Sequence, residues 1–177
     1  QGQDYTSKMV TSGLSDIDIN KANLYYVTYS ATGPNGYKWS EKRTVAVCDP
    51  SVTTDLAGTW TVQPASNRTD NNGETFTGCT VTIKYLCPGV FKISDYLAGY
   101  YQQHIYGPDY ASYNLSFSGI FSLTKDNKLE MITSDPATSF TGSPKCTSFV
   151  GSYDPDTQTI TYDAVARAHT FHVVLKQ

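Results

Sequence analysis

From Leu24 onward the chain alternates apolar and polar residues in short runs. Gly, Pro, Asn and Asp separate the runs, and no sustained 3.6-residue period occurs. Leu24 to Thr32 (LYYVTYSAT) alternates as a strand, Gly33-Pro34-Asn35-Gly36 forms a turn, and Tyr37 to Cys48 returns, so a β-hairpin is expected. Residues 1–23 are polar, with at most a short strand around Lys8 to Ser12. Asp49-Pro50-Ser51 breaks the pattern, and 51–57 reads as a linker. Beyond Gly58, strands are expected at Thr59–Gln63, Glu74–Leu86, Val90–Ile93, Leu115–Thr124, Lys128–Thr133, Cys146–Tyr153, Thr157–Ala164 and His169–Lys176. The sequence therefore predicts an all-β protein with fewer than roughly a tenth of its residues in helix. Residues 58–177 should form an antiparallel eight-stranded barrel, lipocalin-like, or a sandwich. Residues 1–50 are too few for a complete two-sheet domain, which takes about 100 residues in the immunoglobulin case. They form an incomplete module or lean on the second domain.

One connection stands out. Gly89 to Tyr113 (GVFKISDYLAGYYQQHIYGPDYASY) holds six of the fourteen tyrosines and His104, one of three histidines. Long connections in compact domains are usually functional or disordered, and this one is too aromatic for disorder. Ser94 and Asp95 suit a helix N-cap, with one turn through Leu97 ended by Gly99. In extended chain Tyr100 and Tyr101 would point to opposite faces, leaving at least one partly exposed. Tyr100, Tyr101, Tyr106 and Tyr110, with Gln102, Gln103, His104 and Asp109, are the candidate ligand-binding residues. Tyrosine rings cover the C–H face of a pyranose, and amides and carboxylates satisfy its hydroxyls. The competing reading makes these rings a plug at one end of a barrel.

Composition narrows the field. The formal charge is -3 and the thirteen Lys and Arg are scattered, so neither nucleic acid nor an anionic membrane is an expected partner. No apolar run approaches the roughly 18 residues of a membrane span, and Gln1 does not open a signal peptide. The chain reads as cytosolic or as the mature form of an exported protein. Its Thr, Ser, Tyr, Asn and Gly content favours export. Cys79 and Cys87 bracket one alternating run. Eight steps of about 3.3 Å would hold them roughly 26 Å apart, far beyond disulfide reach. Both are expected as buried free thiols. The pairing of Cys48 and Cys146 stays open. No zinc spacing, nucleophile elbow or phosphate loop is present, and no cofactor is expected. His169 and His172 read as surface residues. Asp95 and Asp109 are the one carboxylate pair that could flank a glycosidic bond, but a cap and a turn explain them.

Two segments resemble a known family. Tyr25, Val27, Tyr29, Ala31 and Gly36 follow a Tyr-x-Val-x-Tyr-x-Ala-x-x-x-x-Gly pattern. Ile93-Ser94-Asp95 with Gly99-Tyr100-Tyr101 follows a second. Together they resemble two-domain outer-membrane lipoproteins of Bacteroidetes associated with polysaccharide utilisation. Such proteins join an Ig-like N-terminal module to a β-rich C-terminal module of unknown function. The resemblance implies a cell-surface or periplasmic protein, lipid-anchored in its precursor through a cysteine this sequence lacks, with an outer-membrane uptake complex as a possible partner. It supplies no catalytic residues. The expected function is non-catalytic glycan binding. The alternatives are a lipocalin-like carrier of an apolar small molecule, marked by a cavity lined by Val, Ile and Phe, and a structural module without ligand.

Overall fold

The computed structural model describes Asp4 and residues 6–177, and the chain divides into two compact units, 1–49 and 50–177. The first unit is a three-stranded antiparallel sheet of β1 (Val10–Ser12), β2 (Asn23–Thr32) and β3 (Lys38–Val47), in that order. The β2–β3 hairpin is in register from Asn23↔Val47 to Thr32↔Lys38, and Gly36 takes the left-handed φ of 77° that closes its turn. Val27 is buried within this sheet, while most of β3 is exposed.

The second unit contains β4 (Gly58–Val62), β5 (Asn67–Arg68), β6 (Glu74–Thr75), β7 (Thr80–Cys87), β8 (Val90–Ile93), β9 (Gly119–Leu123), β10 (Lys128–Ser134), β11 (Cys146–Asp154), β12 (Thr159–Ala166) and β13 (His169–Lys176). Eight of these close on themselves in the order β12-β11-β10-β9-β8-β7-β4-β13, with β13 pairing back to β12 and every pairing antiparallel. The result is a closed eight-stranded antiparallel barrel. The short β5–β6 hairpin joins it through Phe171↔Arg68. Helix among the described residues amounts to turns of three to six residues.

Alternation along these strands does what period-2 patterning requires. On β13, Phe171, Val173 and Leu175 are buried, while Thr170, His172 and Val174 face outward. Inward rings fill the barrel. Phe91 stacks on Phe121 at 5.6 Å, Phe121 meets Phe149 at 5.4 Å, and Phe149 meets Tyr162 at 4.6 Å and Tyr96 at 4.7 Å. An eight-stranded barrel is just wide enough for such filling. The interior is therefore packed side chain, and the open cavity that would mark an apolar carrier is not what these rings form.

Three expectations change. The stretch 51–57 is not a free linker, because Val52 and Leu56 are buried in the second unit and Leu56 O accepts the Trp60 indole N–H at 2.8 Å. The expected Glu74–Leu86 strand is two strands interrupted at 76–79, where Phe76 and Cys79 turn into the core and Gly78 takes a φ of 76°. Finally, Cys87 is disulfide-bonded, as is Cys48, whereas Cys79 and Cys146 are free and buried. Cys79 and Cys87 are thus not joined to each other. The buried row of Val81 and Ile83 ends before Tyr85, which is exposed, and the register then shifts between Tyr85 and Cys87. Burial pushes the Cys79 thiol up, and Cys146 up to about 11. Native protein should therefore leave both thiols unmodified by a thiol-specific reagent at pH 8, and denaturant should release two equivalents; rapid native labelling would show that the core opens readily.

Candidate functional site

The aromatic connection is held at its entry by one carboxylate. Asp95, 3% exposed, accepts the N–H groups of Leu97 at 3.0 Å and Phe117 at 2.9 Å on Oδ1, and of Gly99 at 3.0 Å on Oδ2. Asp95 thus closes a hydrogen-bonded turn over 96–99 where a helical turn was expected, and its three bonds hold it inside the core. The helical element begins later than expected. Gly99, at φ 79°, opens a π-helical turn over Tyr100–Ile105. A Cβ on Gly99 would come within 2.7 Å of the Gln103 amide and 3.1 Å of Cys79, so space as well as φ calls for glycine.

The π-turn sorts the candidate residues. Tyr100 and Tyr101 are 1% and 6% exposed, which corrects their assignment to an exposed platform. Consecutive residues of a helical turn point roughly 100° apart, where strand neighbours point opposite ways, so both rings can enter the core, with centroids 5.0 Å apart. Tyr100 packs on Phe76 and Phe171, and Tyr101 on Phe140 and Phe117. These two rings are the barrel plug. Gln103 is committed to structure: its amide donates to Thr80 O at 2.7 Å and accepts from Thr80 N at 2.8 Å. Gln102 donates to Tyr110 O at 3.0 Å and accepts from Leu115 N at 3.3 Å, tying the connection across its width. His104 lies over Tyr100 and Phe76 with Nε2 3.8 Å from Glu74 Oε1. The Tyr100 hydroxyl donates to Glu74 Oε2 at 2.7 Å, and that bond, followed by the one from Asn71, holds the Glu74 carboxyl below its usual range.

The remaining candidates are exposed and contiguous. Gly107, with φ 73° and ψ -166°, turns the chain into a 3₁₀ turn over Pro108–Tyr110. This brings Tyr106 and Tyr110 to 5.1 Å between centroids, and Tyr110 to 5.5 Å from Tyr113. The three rings are 39%, 43% and 52% exposed and form a strip. Asp109 is exposed within it, and a surface groove of about 340 Å³ lies alongside, lined by Gln102, Gln103, Gly107, Pro108 and Ala111. Tyr113 was missing from the expected set. Its spacing of three from Tyr110 was the available signal, because one helical turn sets such residues side by side. Among the described residues no cluster of three or more His, Cys, Asp or Glu could hold a metal ion, and no helix is long and apolar enough to cross a membrane.

Residues 49–177 match a family model described as a C-terminal domain. No curated protein matches the chain. Among solved structures, the chain is similar to the crystal structure of the lipoprotein BT2262 from Bacteroides thetaiotaomicron. The TM-score is 0.60 and the identity 29%, over 99% of this chain and 85% of that one.

Proposed function

The chain belongs to the family of BT2262-like lipoproteins of Bacteroidetes, and from that premise we propose that it is a non-catalytic glycan-binding protein of the cell surface, serving polysaccharide utilisation. The observation that carries this reading is the strip of Tyr106, Tyr110 and Tyr113 beside the groove at Gln102 and Pro108. Three half-exposed rings in a row offer successive stacking faces to the sugars of a chain. Asp109 and the unused lone pairs of the Gln102 and Gln103 amides supply polar partners at its margin. The backbone under the strip is fixed by the Gln102 and Gln103 bonds, so little ordering is lost on binding. Such a protein would deliver glycan to an outer-membrane uptake complex. The filled barrel favours surface binding over carriage of an apolar molecule inside it.

The test is a glycan-array or affinity-gel screen of the intact protein, followed by Tyr106→Ala and Tyr110→Ala. Each substitution should weaken binding by about 1–3 kcal/mol and leave the thermal midpoint nearly unmoved. Failure to retain any glycan, or undiminished binding by both variants, would overturn the assignment.

A further inference from the structure

We propose that the glycan is anionic: a uronate carboxylate or a sulfate ester is gripped by the Arg167 guanidinium while a sugar ring lies on Tyr106. The inference rests on the glycan-binding reading above and names the class of sugar at that same site. The chain has only three arginines and a net charge of -3, yet two of them come to the plug: Arg68 pairs with Phe171, which packs on Tyr100, and Arg167 lies over Tyr101. Arg167 Cζ stands 5.2 Å from the Tyr101 ring centroid, and Tyr106 closes the π-turn on the same residue, its N–H donating to Tyr101 O at 3.0 Å, so Arg167 and Tyr106 share a neighbour.

The two arginines are in different states. Arg68 is spent on structure, bonding Asp70 at 3.2 and 3.1 Å and lying 2.7 Å from His169 Nδ1. Arg167 is exposed and makes no ion pair among the described residues. Its guanidinium lies over two rings, with Cζ 4.1 Å from the Phe140 centroid and 5.2 Å from that of Tyr101. Stacking of this kind occupies one face of the fork, and one edge N–H is engaged by the Tyr101 phenol, so the other edge N–H groups are turned to solvent. The backbone fixes where the fork stands, because Arg167 (φ 54°) and Ala168 (φ 62°) form the tight, left-handed turn between β12 and β13. A pre-oriented guanidinium with no carboxylate partner among the described residues is matched to the two oxygens of a carboxylate or sulfate.

Binding of polygalacturonate, chondroitin sulfate and a neutral galactan should be measured with the intact protein at about 50 and 500 mM NaCl. The acidic polymers should bind, the galactan about tenfold or more weaker, and the higher salt should lower acidic affinity severalfold. Arg167→Gln should lose about tenfold on the acidic polymers with the thermal midpoint unchanged, and Arg167→Lys should fall between, keeping charge without the fork. If galactan binds as tightly as the acidic polymers and Arg167→Gln is neutral, the anionic inference fails while the glycan reading stands. If no polymer of either kind binds, both fall together.

Discussion

Replacing Asp95 with Ala should destabilise the barrel by about 3–5 kcal/mol, read as a shift of the chemical-denaturation midpoint. The carboxylate satisfies the N–H groups of Leu97, Gly99 and Phe117 in a site closed to water. Alanine would leave all three unpaired, and each buried orphan costs about 1–3 kcal/mol, partly relieved by local adjustment. Asp95→Asn keeps the shape but turns one acceptor oxygen into a donor, so it should cost less than the alanine variant. The pH dependence is a second readout. Burial outweighs the three N–H donors and raises the Asp95 carboxyl from its ordinary 3.8 to about 6. Because the folded value lies above the unfolded one, the stabilising contribution is complete below about pH 4. It is lost as pH rises through about 6, and the displacement corresponds to roughly 3 kcal/mol. The wild type should lose stability across that window, and Asp95→Asn should lose none of this increment. A wild-type profile as flat as the variant's would show that the carboxylate titrates as it does in the unfolded chain.

Tyr101→Ala should cost about 3–5 kcal/mol as well, because it removes a buried ring in contact with Tyr100, Phe140 and Phe117 and leaves a cavity. For a domain of this size the thermal midpoint should drop by more than about 10 °C. Tyr106→Ala, five residues on and 39% exposed, should barely move it. Calorimetry of the two variants separates the plug from the strip. A Tyr101→Ala protein that melts with the wild type would mean the plug adds nothing to the core.

The contrast between these tyrosines shows what could be read from sequence. Strand order and hairpins were legible because alternation and turn chemistry are local: β8, β10 and β13 fall within a residue of expectation, and Asn127 turns at φ 58° where Asp126-Asn127 was expected to turn. The aromatic connection was legible as the chain's unusual segment, and Asp95 as a cap. Its inner and outer rings were not separable, because an extended-chain argument was applied to residues that coil into a π-turn. That turn depends on the Gly99 conformation and on Gln103 reaching Thr80, a partner 23 residues distant. Cys87 escaped for a similar reason. The buried row stops at Ile83, with Tyr85 and Leu86 exposed and the register shifting before Cys87, and nothing in TVTIKYL announces it. Arg167 carried no motif at all, and only its place beside Phe140 and Tyr101 gives it meaning.

The Gln103 clamp also bears on an open strand end. Strand β8 ends at Ile93, opposite Ile83, so β7 runs on toward Thr80 without its neighbour. Ser94 covers Thr82, its N–H donating to Thr82 O while its hydroxyl accepts from Thr82 N, and the Gln103 side chain then occupies both groups of Thr80. A primary amide presents the same donor and acceptor as a peptide unit, so it completes the ladder without supplying a strand. Strand β7 is rich in β-branched and aromatic residues, the composition that stacks into intermolecular sheets when an edge is open, and Gln103 closes the end of its edge at Thr80. One glutamine at the start of the aromatic connection thus closes the end of β7 that its neighbouring strand leaves open, and it links the order of that connection to the completeness of the barrel's ladder.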